Sequence, residues 1–241
     1  MEMFARKSTP EEIRARFDND VERFSKLEVG QNVAIDSVLC LELVAKAAAR
    51  CTPHARRVLD IGCGAGNFTI RLKHELDFSE VTFVDLSAPM LTRAAERAAE
   101  LGLQVETIQT DMRLLELPEE SCDVILAGAT LHHLRGDEEW ELMFRKMVAA
   151  LKPFGSLWIF DLISHEIPAV HSVQWHRYRD YLLTLGDEDF VRKIFGYIEQ
   201  EDTPRPVTYQ LDLLRRSGLS HVDILHKNAA FAALGGVKLP Q

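Results

Sequence analysis

Val58-Leu59-Asp60-Ile61-Gly62-Cys63-Gly64-Ala65-Gly66-Asn67 is the stretch that decides the fold. Val58, Leu59 and Ile61 read as a short buried strand. Gly62, Gly64 and Gly66 then let the backbone turn tightly against a ligand. From Asn67 the chain reads as a helix, with Phe68, Ile70, Leu72 and Leu76 interleaved with Arg71, Lys73 and Glu75. A helix N-terminus aimed into such a turn favours a negative group, for instance a carboxylate. The spacing is G-x-G-x-G, not the G-x-G-x-x-G of dinucleotide sites, and Asp60 stands two residues before the first glycine. A fixed negative charge there repels a pyrophosphate and suits a ligand carrying an ammonium or sulfonium. Asp85 follows Gly66 by 19 residues, at the end of the apolar run 81–84, where a carboxylate can accept two ribose hydroxyls.

Outward from this core the pattern alternates. Ser87 and Pro89 open a helix through Met90, Leu91, Ala94 and Ala98 that Gly102 ends; strands are expected at 105–109 and 122–127. A helix at about 137–151 is closed by Lys152-Pro153-Phe154-Gly155, and 156–160 reads as a fifth strand. Strand–helix alternation predicts a parallel sheet covered on both faces, with ligands beyond the carboxyl ends of the strands. Asp60, Asp85, Asp111 and Ala127 all fall at those ends. Upstream, Thr9-Pro10-Glu11-Glu12 has the form of a capping box opening a helix that carries Ile13, Phe17, Val21, Phe24 and Leu27 inward until Gly30-Gln31-Asn32 breaks it. Asp36 is placed to cap a second helix running to about Cys51. Downstream, a helix at 207–217 and strand-like runs at 221–226 and 229–237 close the chain, the last weakened by Gly235-Gly236.

The glycine turn, in register with Asp85 and Asp111, resembles motif I and the following motifs of the class I S-adenosylmethionine-dependent methyltransferases. The resemblance covers about residues 55–160 and the terminal helix–strand–strand pattern. It implies an α/β, Rossmann-like sheet, mostly parallel with an antiparallel final strand and helices on both faces. It implies S-adenosylmethionine as cofactor and S-adenosylhomocysteine as product. Carried over residue by residue, Asp60, Gly62 and Gly64 hold the methionine part, Asp85 the ribose, and Leu86 lies beside the adenine. Asp111 and Met112 contact the adenine amino group and ring edge, and Ala127 offers a backbone contact near the methionyl amine. Asp123, at the start of its strand, reads as structural.

Thr130-Leu131-His132-His133-Leu134 follows the fourth strand on the side of transfer. An N-P-P-[YF] motif is absent there, which with the acidic charge points to a small-molecule acceptor. His133 is the candidate catalytic residue, since an imidazole can take a proton near neutral pH; packing alone is the alternative for either histidine. No metal is expected, because no third and fourth ligand sit at helpful spacing. Methyl transfer otherwise needs mainly an in-line approach with water excluded, because the sulfonium is already activated.

Residues 161–205 form a helical insert, rich in aromatic and ionic side chains at 174–181. It is read either as a lid over the carboxyl edge or as a surface hairpin or dimer contact. Trp175, His176 and Tyr178 are its candidate substrate contacts, each with core packing as the alternative. The organisation expected is one methyltransferase domain over 1–241, with an N-terminal helical extension at 9–51 and the insert. A narrower resemblance, to carboxy-S-adenosylmethionine synthase, rests on the leading helix 16–21, the insert and the closing strand. That family places an arginine in the insert to grip the new carboxylate; Arg192 falls nearby but aligns only with a gap. Transfer to tRNA or protein, a catalytically silent cofactor-binding partner and an NAD-linked oxidoreductase are the remaining alternatives.

The composition bounds these readings. With 241 residues, 46% of them hydrophobic, the chain can bury one substantial core. A formal charge of −9 leaves no electrostatic footprint for nucleic acid. No run of about 18 apolar residues and no opening cleavage signal are visible, so a soluble, cytoplasmic protein is expected. Cys40, Cys51, Cys63 and Cys122 lack C-x-x-C spacing and suggest neither zinc nor disulfides, and Cys63 reads as small filler in the turn. The N-terminal helix and the insert are the candidate contacts of a homodimer.

Overall fold

The computed structural model describes residues 7–26 and 32–240. Its centre is β1 (Arg57–Ile61), whose Val58, Leu59 and Ile61 are at most 2% exposed. Parallel partners flank it: β2 (Glu80–Asp85), in turn beside β3 (Gln104–Gln109), and on the other side β4 (Cys122–Gly128), beside β5 (Leu151–Leu162). The chain returns through β6 (His221–Asn228) and β7 (Phe231–Val237), and β7 inserts antiparallel between β5 and β6. Among the described residues the sheet has seven strands in the order β3-β2-β1-β4-β5-β7-β6. This is the parallel sheet that the strand–helix alternation predicts, with the antiparallel close that the family resemblance implies.

Both faces are dry. On one, α3 (Ser37–Cys51), α4 (Asn67–Glu75) and α5 (Ala88–Glu100) bury Val44, Leu72, Leu91 and Ala94 with Val58, Phe83 and Phe160. On the other, α6 (Asp137–Ala150) and α9 (Val207–Arg216) bury Trp140, Phe144, Met147 and Leu214 against Leu59, Ile61, Ile125 and Ile159. Strand residues alternate between the two clusters, as a pleated strand with period two requires. Gly235 and Gly236 do not weaken β7. A Cβ on Gly235 would stand 2.2 Å from the Leu157 carbonyl oxygen, and one on Gly236 2.1 Å from that of His221, so glycine is what lets β7 fit between its neighbours.

Some local expectations change. The N-terminal capping box is present, with Glu12 N–H donating to Thr9 Oγ1 at 3.3 Å and Thr9 N–H to Glu12 Oε2 at 2.8 Å. The single long helix is instead α1 (Pro10–Asp18) and a short α2 (Val21–Phe24), parted at Asn19-Asp20, where the Asn19 amide donates back to the Ala15 carbonyl. Leu27, Gly30 and Gln31 lie outside the described residues, as does the side chain of Phe24. Asp36 precedes α3 with φ 59° but does not cap it; its carboxylate accepts from His226 at 2.8 Å and Asn228 at 2.7 Å, tying α3 to β6. Pro153 and Phe154 lie within β5, where Phe154 takes φ 66° and the register with β4 shifts. The insert is a pair of helices, α7 (Pro168–Leu183) and α8 (Glu188–Glu201), closed at its base by a bridge between Ser164 and Pro206.

Candidate active site

A cavity of about 520 Å³ opens at the carboxyl ends of β1, β2 and β4, roofed by α1 and α8. Its floor is the glycine turn. Gly62 has φ 63°, and a Cβ there would stand 2.1 Å from Thr130 Oγ1, so only glycine lets the turn lie against the end of β4. Gly64 N–H donates to Asp85 Oδ2 at 2.8 Å and Ser87 N–H to Asp85 Oδ1 at 2.9 Å. Asp85 lines the cavity, and a carboxylate oxygen that accepts one such donor keeps capacity for another. Burial raises the Asp85 pKa despite these backbone donors.

Asp60 is 1% exposed and lies behind the wall, not on it. Thr69 Oγ1 donates to its Oδ2 at 2.7 Å, and burial pushes its pKa up to about 7. It therefore braces the turn from beneath, because it shares the inward face of β1 with the start of α4. Leu86, Asp111 and Met112 all reach the wall. Asp111 arrives already engaged, holding Arg113 Nε at 2.9 and 3.0 Å and Arg113 N–H at 3.0 Å. Burial opposes ionisation of Asp111, but the Arg113 contacts outweigh it and lower its pKa. Ala127 is buried within β4, and the wall is made by Gly128, Ala129 and Thr130 instead. The strand runs one residue further than its apolar pattern, so the edge moves with it. Asp123 is structural, accepting from Arg56 N–H, Arg57 N–H and Lys152. Cys63 lines the cavity as a buried thiol whose pKa burial raises well above the usual.

The opposite end of the cavity comes from α1, the histidine turn and α8. Phe190, Ile194, Tyr197 and Ile198 of α8 face inward at helical spacing, joined by Ile13 and Phe17 of α1. That periodicity in 190–201 is the signal by which the wall could have been found from sequence. Tyr178 of α7 also lines the cavity, but its hydroxyl is committed to the Val33 carbonyl at 3.0 Å and burial raises its pKa, so it presents a ring. Trp175 packs behind it against Phe195 and His171, and His176 is exposed and bound to its own helix at Ser172. Neither reaches the cavity wall. His176 stands about 200° around the helix from Tyr178. Arg192 points to solvent in a pair with Asp189, while the next residue, Lys193, lines the cavity.

His132 and His133 occupy a 3-10 turn after β4, with ring centroids 4.4 Å apart. Asp161 of β5 accepts from His132 N–H at 3.0 Å and bonds His132 Nδ1 through its other oxygen. Asp202, at the C-cap of α8, brings Oδ1 to 3.2 Å from His133 Nδ1 and 3.7 Å from His132 Nε2. Burial works against charge on His132, yet Asp161 and Asp202 outweigh it and raise its pKa to about 9. Thr203 N–H donates to the His132 carbonyl at 2.7 Å, so the end of α8 is tied to this turn. The Phe17 ring meets His133 edge-on at 6.1 Å.

The roof is fastened by Arg16, which grips the 7%-exposed Glu201 carboxylate with two nitrogens. Arg16→Ala leaves that carboxylate without its partner and is expected to loosen α1 by about 1–3 kcal/mol, less whatever solvent screens at the partly exposed guanidinium. Limited proteolysis should then cut within 7–26 about tenfold faster while the sheet's melting temperature stays near the parent's. Arg16→Lys should restore little, because an ammonium cannot make the forked contact. Equal cleavage rates in parent and variant would show that the pair does not hold the roof.

Comparison with known proteins matches the family model described as "Methyltransferase domain" to residues 58–155. The chain spans about half the length of the first curated relatives it matches: an uncharacterized methyltransferase of Mycobacterium tuberculosis is 30% identical over 49% of this chain and 55% of its own. Trans-aconitate 2-methyltransferase of Paracidovorax citrulli is 30% identical over 75% of this chain and 65% of its own. A carboxy-S-adenosyl-L-methionine synthase of Cronobacter sakazakii is 23% identical over 82% and 81%. Among solved structures, the [4+2]-cyclase SpnF superposes with a TM-score of 0.64 at 15% identity, covering 99% of both chains, a likeness of fold alone. Among the described residues no helix is long and apolar enough to cross a membrane.

Proposed function

We propose that the chain, whose residues 58–155 match the methyltransferase domain model, is a class I S-adenosylmethionine-dependent methyltransferase that transfers the methyl group to a small-molecule acceptor held beneath α1 and α8. The observation that carries this reading is Asp85, with two backbone donors on its near side and lone pairs left for a ribose diol on the cavity side. Gly62 and Gly64 would face the methionine part, and Leu86, Met112 and Asp111 the adenine. The methyl group would then point toward the apolar wall of α8 and the histidine turn, so the acceptor's nucleophilic atom would lie beside His133.

A small acceptor is supported by the roof, since α1 and α8 narrow the cavity and would shut out a folded macromolecule. It is supported also by the acidic chain and by the relative named for trans-aconitate. In this reading the insert is a lid that excludes water during transfer. The bonds change simply: the nucleophile's lone pair forms the new bond to the methyl carbon as the carbon–sulfur bond breaks, leaving S-adenosylhomocysteine neutral at sulfur.

A second reading has one observation in its favour, the match to the carboxy-S-adenosyl-L-methionine synthase over four-fifths of both chains. Mass spectrometry of the small molecule that copurifies with the protein decides between them. S-adenosylmethionine or S-adenosylhomocysteine is the expected result. A carboxylated cofactor would replace methyl transfer with the synthase reading. A site that is empty and refuses added S-adenosylhomocysteine would overturn both.

A further inference from the structure

Polar side chains converge at the acceptor end, and one buried oxygen among them, Asp202 Oδ1, meets no partner in hydrogen-bond geometry. Asp202 Oδ1 is buried and within ion-pair distance of both histidines, 3.2 Å from His133 Nδ1 and 3.7 Å from His132 Nε2, and His133 Nδ1 also faces the Glu201 carbonyl oxygen at 3.4 Å. The three atoms all lie within 4.8 Å of one another. Donors at about 2.0–2.2 Å from a shared tetrahedral ion stand about 3.4 Å apart, and the two separations from Asp202, 3.2 and 3.7 Å, bracket that figure. His132 is also oriented as a ligand. Asp161 holds its Nδ1, leaving Nε2 turned toward Asp202, the arrangement in which a carboxylate behind a histidine fixes a metal ligand.

We propose that His132 Nε2, His133 Nδ1 and Asp202 Oδ1 bind a divalent transition-metal ion in the cavity wall. Two imidazoles and one carboxylate suit an ion of borderline softness such as Zn²⁺; Ca²⁺ and Mg²⁺ call for more oxygen donors. The carboxylates of Asp161 and Asp202 balance the double charge, while that of neighbouring Glu201 is already taken by Arg16. Both histidines line the cavity, so an ion held by them would lie at the acceptor end. An acceptor hydroxyl coordinated there is held in place and made more acidic before it attacks the methyl group. The chemical use of the ion rests on the transfer reading above; its binding does not.

The test uses the full chain, stripped with a chelator that is then removed, and titrated with Co²⁺ alone and with Zn²⁺ alone. The expected result is one equivalent of Co²⁺ with the visible d–d absorption of a low-symmetry site, displaced by Zn²⁺. Asp202→Asn and His133→Gln should each weaken binding by about 100-fold or more, and Asp161→Asn by about 10–100-fold. His171→Gln, in the histidine pair at the start of α7, should change nothing. No stoichiometric binding, or binding that survives both Asp202→Asn and His133→Gln, overturns the proposal. S-adenosylhomocysteine binding, measured on the same samples, reports folding and separates the two readings. Nucleoside bound without metal removes this inference alone, and neither bound removes the cofactor reading as well.

Discussion

Asp85→Ala is expected to leave the sheet folded and to lower the affinity for S-adenosylhomocysteine by a factor of about 10²–10⁴. Two hydrogen bonds from ribose hydroxyls to a carboxylate are at stake, each worth about 1.5–3 kcal/mol. Burial has already raised the pKa of this group, so its ionised form is poorly solvated before the nucleoside arrives, and ribose hydroxyls relieve that. Removing the side chain also frees Gly64 N–H and Ser87 N–H, which the carboxylate accepts from. Asp85→Asn separates the effects: one amide oxygen can keep a backbone donor, but the paired acceptance is lost, so its affinity should lie nearer the alanine variant than the parent. Calorimetric titration with S-adenosylhomocysteine, with circular dichroism as the folding control, reads the result. Normal binding by a folded Asp85→Ala protein would remove the ribose assignment.

Asp60→Asn carries the second large effect, and it acts on stability. Burial pushes the Asp60 pKa to about 7 from an ordinary 3.8, with Asp85 adding in the same direction and Thr69 opposing. The folded state thus holds a proton that the unfolded chain releases between about pH 4 and pH 7. Over that window the unfolded state binds fewer protons, so this group's contribution to stability falls as pH rises and is level above pH 7. The full change is on the order of 4 kcal/mol. An asparagine can still accept from Thr69 Oγ1 and carries no charge. The difference in unfolding free energy between variant and parent should therefore be near zero at pH 4 and grow to several kcal/mol in favour of the variant at pH 8. Urea unfolding of the nucleoside-free protein at both pH values measures it. A difference that does not change with pH would mean that Asp60 is ionised at little expense in the folded state.

Each of these results depends on how far a residue's role is local. The β1–turn–α4 unit is legible because its signals are contiguous: Val58, Leu59 and Ile61 for the strand, three glycines for the turn, and helical spacing from Phe68. Asp85, Leu86, Asp111 and Met112 are legible for a related reason, since residues just past parallel strands share one edge of the sheet. Ala127 misses that edge because β4 continues to Gly128. The choice of Trp175 and His176 fails for a different reason. The periodicity of α7 is too weak to say which side chains turn inward, and only Tyr178 of the three reaches the cavity. The inward stripe of α8, by contrast, was present in the spacing of Phe190, Ile194, Tyr197 and Ile198.

By itself the sequence determined the sheet, its glycine turn and the strand-end carboxylates, because hydrophobic period and turn chemistry act over a few residues. Only the tertiary structure decided what stands opposite them. Asp202 follows His133 by 69 residues, and Arg16 precedes Glu201 by 185. No local pattern marks either pair. They meet because the insert and α1 must bury their apolar faces over the same edge of the sheet, and burial then leaves their charged ends nowhere to turn but toward one another.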